Sequence, residues 1–554
     1  MKPLGYTCKY TPLELLEALG GHPVLLNQES CGFPYAERVT HNQFCCHAKA
    51  VLEECRRTGL RELVLVNCCD CIRRVYDVLE AAGELDFLYL LDLPHHADGC
   101  SRALLKDGLE RLAAAYAAYR GTRFDPAAFR AAFSPAPALP EGAFLAVTGA
   151  RAGAGLLETL RRRSPLPVAD LTCGGHRSLP PPPEGLECPQ LPDWYAGALL
   201  GQLPCMRMNE IGRRSELLEQ PRLRGILYHT VKFCDYYSFE YEALRSRTSL
   251  PLLKLETDFT RQGDGQLSTR LDAFAEQLDL RGAPAVHTAR RGRRYVAGID
   301  SGSTTTNLAV LDLEGSLRAS AIVRTGPKAR QGAEKALAAL EGIGLDDLAA
   351  VVATGYGRSH IPFATGQVTE ITCHARGAHH LHPQARCVID IGGQDSKVIC
   401  LDEDGGVKNF VMNDKCAAGT GRFLEMMARV LEVELAEMGT LGLRWETDLT
   451  ISSICTVFAE SEVVSLIADN HSAADIVHGL NRSVAVKTAA LVQRAGGCGP
   501  YLMTGGVARN QGVVQALEER LGAPLWIGDT PDLCGALGAA LFALDHVTDK
   551  GGPA

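Results

Sequence analysis

Tyr295-Val296-Ala297-Gly298-Ile299-Asp300-Ser301-Gly302-Ser303-Thr304-Thr305-Thr306 decides the fold of the second half of this chain. An apolar, strand-like run, Tyr295–Ile299, ends in an acidic residue and then in a loop of glycine and hydroxyl residues. Residues this small let the backbone approach a phosphate, and their N–H groups and hydroxyls donate to its oxygens. Asp300 cannot sit against phosphate unaided, so its natural role is to hold Mg²⁺ through water. Three more loops repeat the theme. Asp390-Ile391-Gly392-Gly393-Gln394-Asp395 follows another apolar strand, Cys387–Ile391. Ala353–Arg358 is a glycine-rich turn after Leu348–Ala353, and Thr504–Asn510 is a strand-to-helix turn suited to a purine face. No GxxxxGK[ST] occurs, so this is not a Walker A site. The expected nucleotide contacts are Gly302, Ser303, Thr304, Thr305, Gly392, Gly393, Gly505, Gly506 and Val507, with Asp300 and Asp390 as the catalytic acids.

Outward from these loops the chain keeps one grammar. Leu63–Val66, Phe87–Leu91, Phe144–Thr148, Gly225–Tyr228 and Asn307–Asp312 read as strands; Thr11–Leu19, Gly108–Tyr119, Gly421–Leu431, Val463–Ala468 and Asn481–Arg494 read as helices. That alternation predicts α/β layers with parallel sheets. No fixed repeat period is visible. With 554 residues, two to four domains are expected. Arg281–Arg294 carries five arginines and no acid and reads as a linker, so the expected division is 1–280, 281–294 and 295–545. Ser134–Glu141 marks a break near 134–142 inside the first part, and Leu179–Leu186 an extended loop. A net charge of −9 argues against nucleic acid or an acidic membrane as partner. With no long apolar run and no signal peptide, the expectation is a cytoplasmic protein.

Twenty cysteines are then anomalous, because a reducing compartment disfavours disulfides. Cys55, Cys100, Cys373, Cys387, Cys400, Cys498 and Cys534 sit in contexts that suit small buried thiols. The others cluster.

From about 296 to 543 the chain resembles the two-lobed actin, sugar-kinase and Hsp70 ATPases, and more closely the activators of 2-hydroxyacyl-CoA dehydratases and the ATPase subunits of benzoyl-CoA reductases. The resemblance rests on GIDSGSTTTNLAVLD, ATGYGRSHI, TEITCHARGA, VIDIGGQDSKVI, NDKCAAGTGRFLE and CTVFAESEVVSLIA, in that order. Cys416 and Cys455 each precede a helix-like segment, where the macrodipole favours thiolate and an anionic cluster. A cubane usually needs four thiolates, this half offers two well-placed ones, and a two-fold axis doubles them. The resemblance implies the same: one [4Fe–4S] cluster bridging a homodimer, with ATP acting on the helices behind it. By that analogy Gln394 positions the attacking water.

The first 280 residues resemble the iron–sulfur subunits of 2-hydroxyacyl-CoA dehydratases, and especially their double-cubane-cluster relatives. The matching segments are Gly5–Pro12 (GYTCKYTP), Asn42–Lys49 (NQFCCHAK), Asn67–Arg74 (NCCDCIRR), Tyr228–Asp235 (YHTVKFCD), Glu256–Asp258 and Gln266–Arg270. The match is thin between about 100 and 200, and no second copy of the pattern exists. The resemblance implies that Cys45, Cys69 and Cys234 hold a cubane. A double cubane needs about six thiolates, for which Cys8, Cys68 and Cys205 come next and Cys31, Cys46 and Cys71 stand in reserve. Spacing alone leaves tetrahedral zinc open.

The resulting expectation is an ATP-dependent, low-potential electron-transfer enzyme: a reductase ATPase fused to an iron–sulfur acceptor. Reduced ferredoxin or flavodoxin would be the donor, and the acceptor either this chain's own cluster or a separate dehydratase or double-cubane protein. Two rivals stand beside it, a small-molecule kinase of the same ATPase superfamily and a zinc-binding regulatory ATPase.

Overall fold

The computed structural model describes residues 2–134, 139–208, 220–260, 264–278, 292–413, 417–451 and 456–549. Cys416, Cys455 and most of the 281–294 linker lie outside them. The contacts divide the chain into two units, Met1–Gly263 and Asp264–Ala554. The helix Asp264–Gln277, read from sequence with the first half, therefore packs in the second unit.

The first unit holds two four-stranded sheets. One contains β1 (Leu4–Tyr6), β2 (Pro23–Leu25), β3 (Glu62–Val66) and β4 (Phe87–Leu91) in the order β2-β1-β3-β4. The other contains β5 (Phe144–Gly149), β6 (Val168–Thr172), β7 (Leu223–Val231) and β8 (Leu252–Thr257) in the order β6-β5-β7-β8. Every pairing is parallel, and the two orders are the same. Buried parallel strands explain the unbroken apolar runs: all of Glu62–Val66 is buried. In each sheet the order reverses between the first and third strands. Loops leaving the C-terminal ends of those two strands part and open a crevice.

The helix Gly99–Arg120 is longer than its apolar spacing indicated. Asp98 starts it by accepting from the Ser101 N–H, and Gly121 ends it at φ 66°.

The second unit has two five-stranded sheets. β9 (Tyr295–Ser301), β10 (Thr305–Asp312), β11 (Leu317–Arg324), β12 (Leu348–Thr354) and β13 (Gly366–Gln367) lie in the order β11-β10-β9-β12-β13. β14 (Cys387–Ile391), β15 (Ser396–Leu401), β16 (Val407–Asn413), β17 (Tyr501–Thr504) and β18 (Leu525–Trp526) lie in the order β16-β15-β14-β17-β18. In both, the first three strands form an antiparallel meander and the last two run parallel to the first. This duplication is the two-lobed actin-like architecture. Side chains diverged between the copies while backbone order did not, so no period shows in the sequence.

Helices Glu370–Leu381 and Cys534–Asp549 cross in close contact. A Cβ on Gly377 would collide with the Cys534 carbonyl, and one on Gly538 with that of Cys373. That close approach seats His374 between the lobes.

Candidate functional site

The duplication places two equivalent acids. Asp300, next to last in its strand, pairs with Thr354 of β12, and Asp390, next to last in its strand, pairs with Thr504 of β17. A glycine follows each threonine, and Gly355 and Gly505 share φ +83°. A Cβ on Gly355 would lie 2.6 Å from Asp300 Oδ1, and one on Gly505 2.5 Å from the Ile391 carbonyl oxygen. Only glycine accepts both that backbone and that contact. Gly302 N–H donates to Thr305 O at 2.9 Å, and Gly392 N–H to Asp395 O at 3.0 Å, closing two matching hairpins. These hairpins meet, because a Cβ on Gly393 would strike the Thr304 hydroxyl. Gln394 is exposed at the tip of the second, and Val507 is buried in the turn after Gly505 and Gly506.

Between the acids lies a charge cluster. His374 Nε2 is 3.7 Å from Asp300 Oδ2, and its Nδ1 is 3.6 Å from Asp390 Oδ1. Burial works against protonation of this ring, but Asp390 and Asp300 outweigh it and raise its pKa. Lys397, 4% exposed, reaches Asp395 at 3.0 Å, Asp390 at 3.2 Å and Glu370 at 3.6 Å. Burial pushes the Glu370 carboxyl up to about 7 despite the opposing pull of Lys397. Burial also acts on Asp390, yet His374 and Lys397 prevail and hold it below the usual carboxylate range. Thr504 donates to Asp390 Oδ1 at 2.9 Å. Four carboxylates thus face two cationic side chains.

The hairpin at Gly392–Asp395 is tied to the segment just after residue 416. Gly392 O accepts from Gly421 N–H at 2.9 Å and Gly393 O from Arg422 N–H at 2.8 Å. Gly421 and Arg422 open the helix Gly421–Val430. Ser396 fixes Gly419 O at 3.0 Å and Lys487 fixes Ala418 O at 3.3 Å. The helix Thr456–Ala468 directly follows Cys455, packs against Gly421–Val430 and leaves Val457 and Phe458 each 66% exposed.

In the first unit, loops from both sheets line a cleft with eight thiols on its wall: Cys8, Cys45, Cys68, Cys69, Cys71, Cys173, Cys205 and Cys234. Cys8 follows β1, Cys68 and Cys69 follow β3, and Cys234 follows β7, all at C-terminal strand ends. Cys45, Cys69 and Cys234 are the N-cap residues of Cys46–Thr58, Asp70–Ala82 and Asp235–Arg245. A helix N-terminus favours thiolate in general, yet the contact with Cys234 and burial push the Cys45 thiol well up. The thiols fall into contacting groups. Cys45 touches Cys234 and Cys71, whereas Cys68 bonds to both Cys8 and Cys69. The bond from Cys68 lowers Cys8 to about 7 and lowers Cys69 as well. Among the described residues no three His, Cys, Asp or Glu side chains converge on one point, as a single preformed ion site requires. Arg151 and Arg207 also line the cleft, and so does His47, whose buried Nε2 has no hydrogen-bond partner.

Residues 297–543 match the BadF/BadG/BcrA/BcrD ATPase family. The 2-hydroxyisocaproyl-CoA dehydratase activator of Clostridioides difficile is 43% identical over 259 residues, 46% of this chain and 97% of that protein. The chain belongs to this ATPase family. The (R)-2-hydroxyglutaryl-CoA dehydratase activating ATPase of Acidaminococcus fermentans is 44% identical over 252 residues, 45% of this chain and 96% of its own. A benzoyl-CoA reductase subunit of Thauera aromatica is 34% identical over 260 residues, 44% of this chain and 92% of its own. Residues 8–136 and 144–278 match the 2-hydroxyglutaryl-CoA dehydratase D-component family. The chain is an ATP-hydrolysing enzyme whose family includes dehydratase activators and a component of a reductase.

All six cysteines chosen as first-half ligands line the cleft; of the reserves Cys71 does, and Cys31 and Cys46 do not. Cys100 and Cys498 are exposed, contrary to the expectation that they pack as buried thiols. Sequence reading missed Cys173, His374 and Lys397. The last two stand inside the segments that carry the family resemblance, but their meaning comes from carboxylates on other strands. Cys173 directly follows β6, and a lone cysteine after a strand was its only signal. No helix among the described residues is long and apolar enough to cross a membrane.

Proposed function

We propose that this chain is an ATP-driven, low-potential electron-transfer protein that carries both an activator-type ATPase and an iron–sulfur acceptor. Cys416 and Cys455 of two protomers would together hold one [4Fe–4S] cluster, in a homodimer. The first-unit cleft would hold a double cubane, with Cys45, Cys71 and Cys234 on one side and Cys8, Cys68 and Cys69 on the other, Cys205 and Cys173 standing beside the second group. Clusters of this kind take up and release single electrons. The observation that carries this reading is the eight-thiol cleft on the same chain as the ATPase. Its donor set fits: thiols in contacting groups, three of them at helix N-termini, with Arg151 supplying positive charge.

This chain's own residues would do the following. Asp300 and Asp390 hold Mg²⁺ through water, and the hairpins at Gly302–Thr305 and Gly392–Gly393 wrap the phosphates. Gly505, Gly506 and Val507 form the purine face. Gln394 orients the attacking water. Loss of the terminal phosphate shifts Gly392 and Gly393, and their bonds to Gly421 and Arg422 pass that shift to the helix behind Cys416. The donor is a reduced ferredoxin or flavodoxin in the cytoplasm. The acceptor is the first-unit cleft or a separate dehydratase or double-cubane protein, as the activators' names suggest. No nucleic acid or membrane takes part.

Anaerobic purification with iron and sulfide counting tests this on wild type, Cys416→Ser and Cys234→Ser. Cys416→Ser should lose roughly half a cubane of iron per chain and keep the rest. Cys234→Ser should show the reverse selectivity. Full iron in both variants, or one zinc and no iron in the wild type, would defeat the proposal.

A further inference from the structure

The helix Asp264–Gln277 lies outside the ATPase family match at 297–543, at the end of the dehydratase-component match, yet it belongs to the ATPase unit. Leu271, Ala273, Phe274 and Ala275 are buried there. Its polar residues reach both lobes. Asp272 pairs with Arg358 at 2.9 Å, and both side chains are nearly buried. Arg358 belongs to the glycine-rich turn after β12 and donates back to Gly355 O at 3.3 Å. Glu276 accepts from the hydroxyls of Thr369 and Thr372, each at 2.6 Å. Those threonines start the helix that carries His374. On the other lobe, Gln277 donates to Lys408 O at 2.8 Å and Arg270 reaches Met412 O at 3.5 Å. Both carbonyls lie on β16, the strand that runs toward Cys416.

An element bonded to both lobes cannot be indifferent to the angle between them. Residues 258–263 are all that separate it from β8, the neighbour of the strand leading to Cys234. We propose that Asp264–Gln277 is a coupling arm: an intramolecular ligand of the ATPase lobes that reports nucleotide state to the cysteine-bearing unit. The ATPase family match begins at residue 297, after this segment. It rests only on nucleotide binding by the second unit and not on any cluster assignment.

Hydrogen exchange read by mass spectrometry on the full chain, with MgADP and with a non-hydrolysable MgATP analogue, is the test. The arm's amides should exchange at rates differing about tenfold between the two nucleotides, the usual scale of a coupling between two sites. Asp272→Asn with Glu276→Gln should erase that difference and shift the KM for ATP several-fold, with iron content unchanged. Gln277→Ala, a milder cut on the other lobe, should reduce the difference without abolishing the arm's protection. Equal exchange of the arm in both nucleotide states, while the loops at 300–306 and 505–507 become protected, would overturn the proposal. Failure of those loops to gain protection would instead count against the nucleotide site itself.

Discussion

Lys397→Met removes the one lysine that faces Asp390, Asp395 and Glu370 while keeping an unbranched side chain of similar length. Lys397 is 4% exposed and its contacts are 3.0 to 3.6 Å, so water cannot replace it without opening the space between the lobes. Removing one partner of a buried charge pair costs about 3–5 kcal/mol, because the remaining charge is left uncompensated. Three carboxylates share this lysine, so the upper part of that range applies. In a unit of this size that lowers Tm by about 10 °C. The penalty depends on pH. Glu370 is pushed up to about 7 even with Lys397 pulling it down and rises further without the lysine, so below pH 7 both proteins carry it neutral, whereas at pH 8 the wild type gains its attraction to Lys397 and the variant does not. The loss should therefore be larger at pH 8 than at pH 6. Differential scanning calorimetry of wild type, Lys397→Met and Lys397→Arg, at both pH values, measures it. A Lys397→Met melting point within 2 °C of wild type at pH 8, with unchanged ATP binding, would refute the idea that this cation organises the acids.

Gly505→Ala should raise the KM for ATP tenfold or more in a steady-state ATPase assay, because φ +83° and a Cβ 2.5 Å from Ile391 O force the turn after β17, the proposed purine face, to move. An unchanged KM would show that this turn does not touch nucleotide. The first unit should also be acid-labile. Burial lowers His47 to about 3 and His229 to about 4, so both fold neutral. Their stabilisation is complete above the unfolded value near 6.5 and is lost as pH falls through it toward the folded values. At pH 5.5 each has forfeited about 1.4 kcal/mol, which urea unfolding at pH 7.5 and 5.5 would detect. A midpoint independent of pH over that range contradicts the burial of these rings.

The strand ends carried most of what was legible in the sequence. β4 and β14 have the bounds that their apolar runs indicated, and the hairpins at Gly302 and Gly392 start where glycine replaces that apolar pattern. Parallel strands are buried on both faces, so their signal is strong. Pairing across strands was not legible. Lys397 and His374 acquire meaning from Asp390, which lies seven residues from one and sixteen from the other but on a different element from each. The grouping of Cys45 with Cys71 depends on where a helix N-terminus points, and spacing along the chain does not encode that. Of the arm at Asp264–Gln277 only Gln266–Arg270 was legible, as the last segment of the first-half resemblance; its helix and its attachment to the ATPase unit are known from the structure.

Electron paramagnetic resonance on the anaerobic full chain, mixed with a reduced ferredoxin, tests the central claim most directly. With MgATP, a signal from the first-unit cleft should appear, and it should vanish in both Cys416→Ser and Cys234→Ser. The same signal appearing to the same extent without ATP, or persisting in Cys416→Ser, would contradict ATP-driven electron transfer through the ATPase to the cysteine cleft.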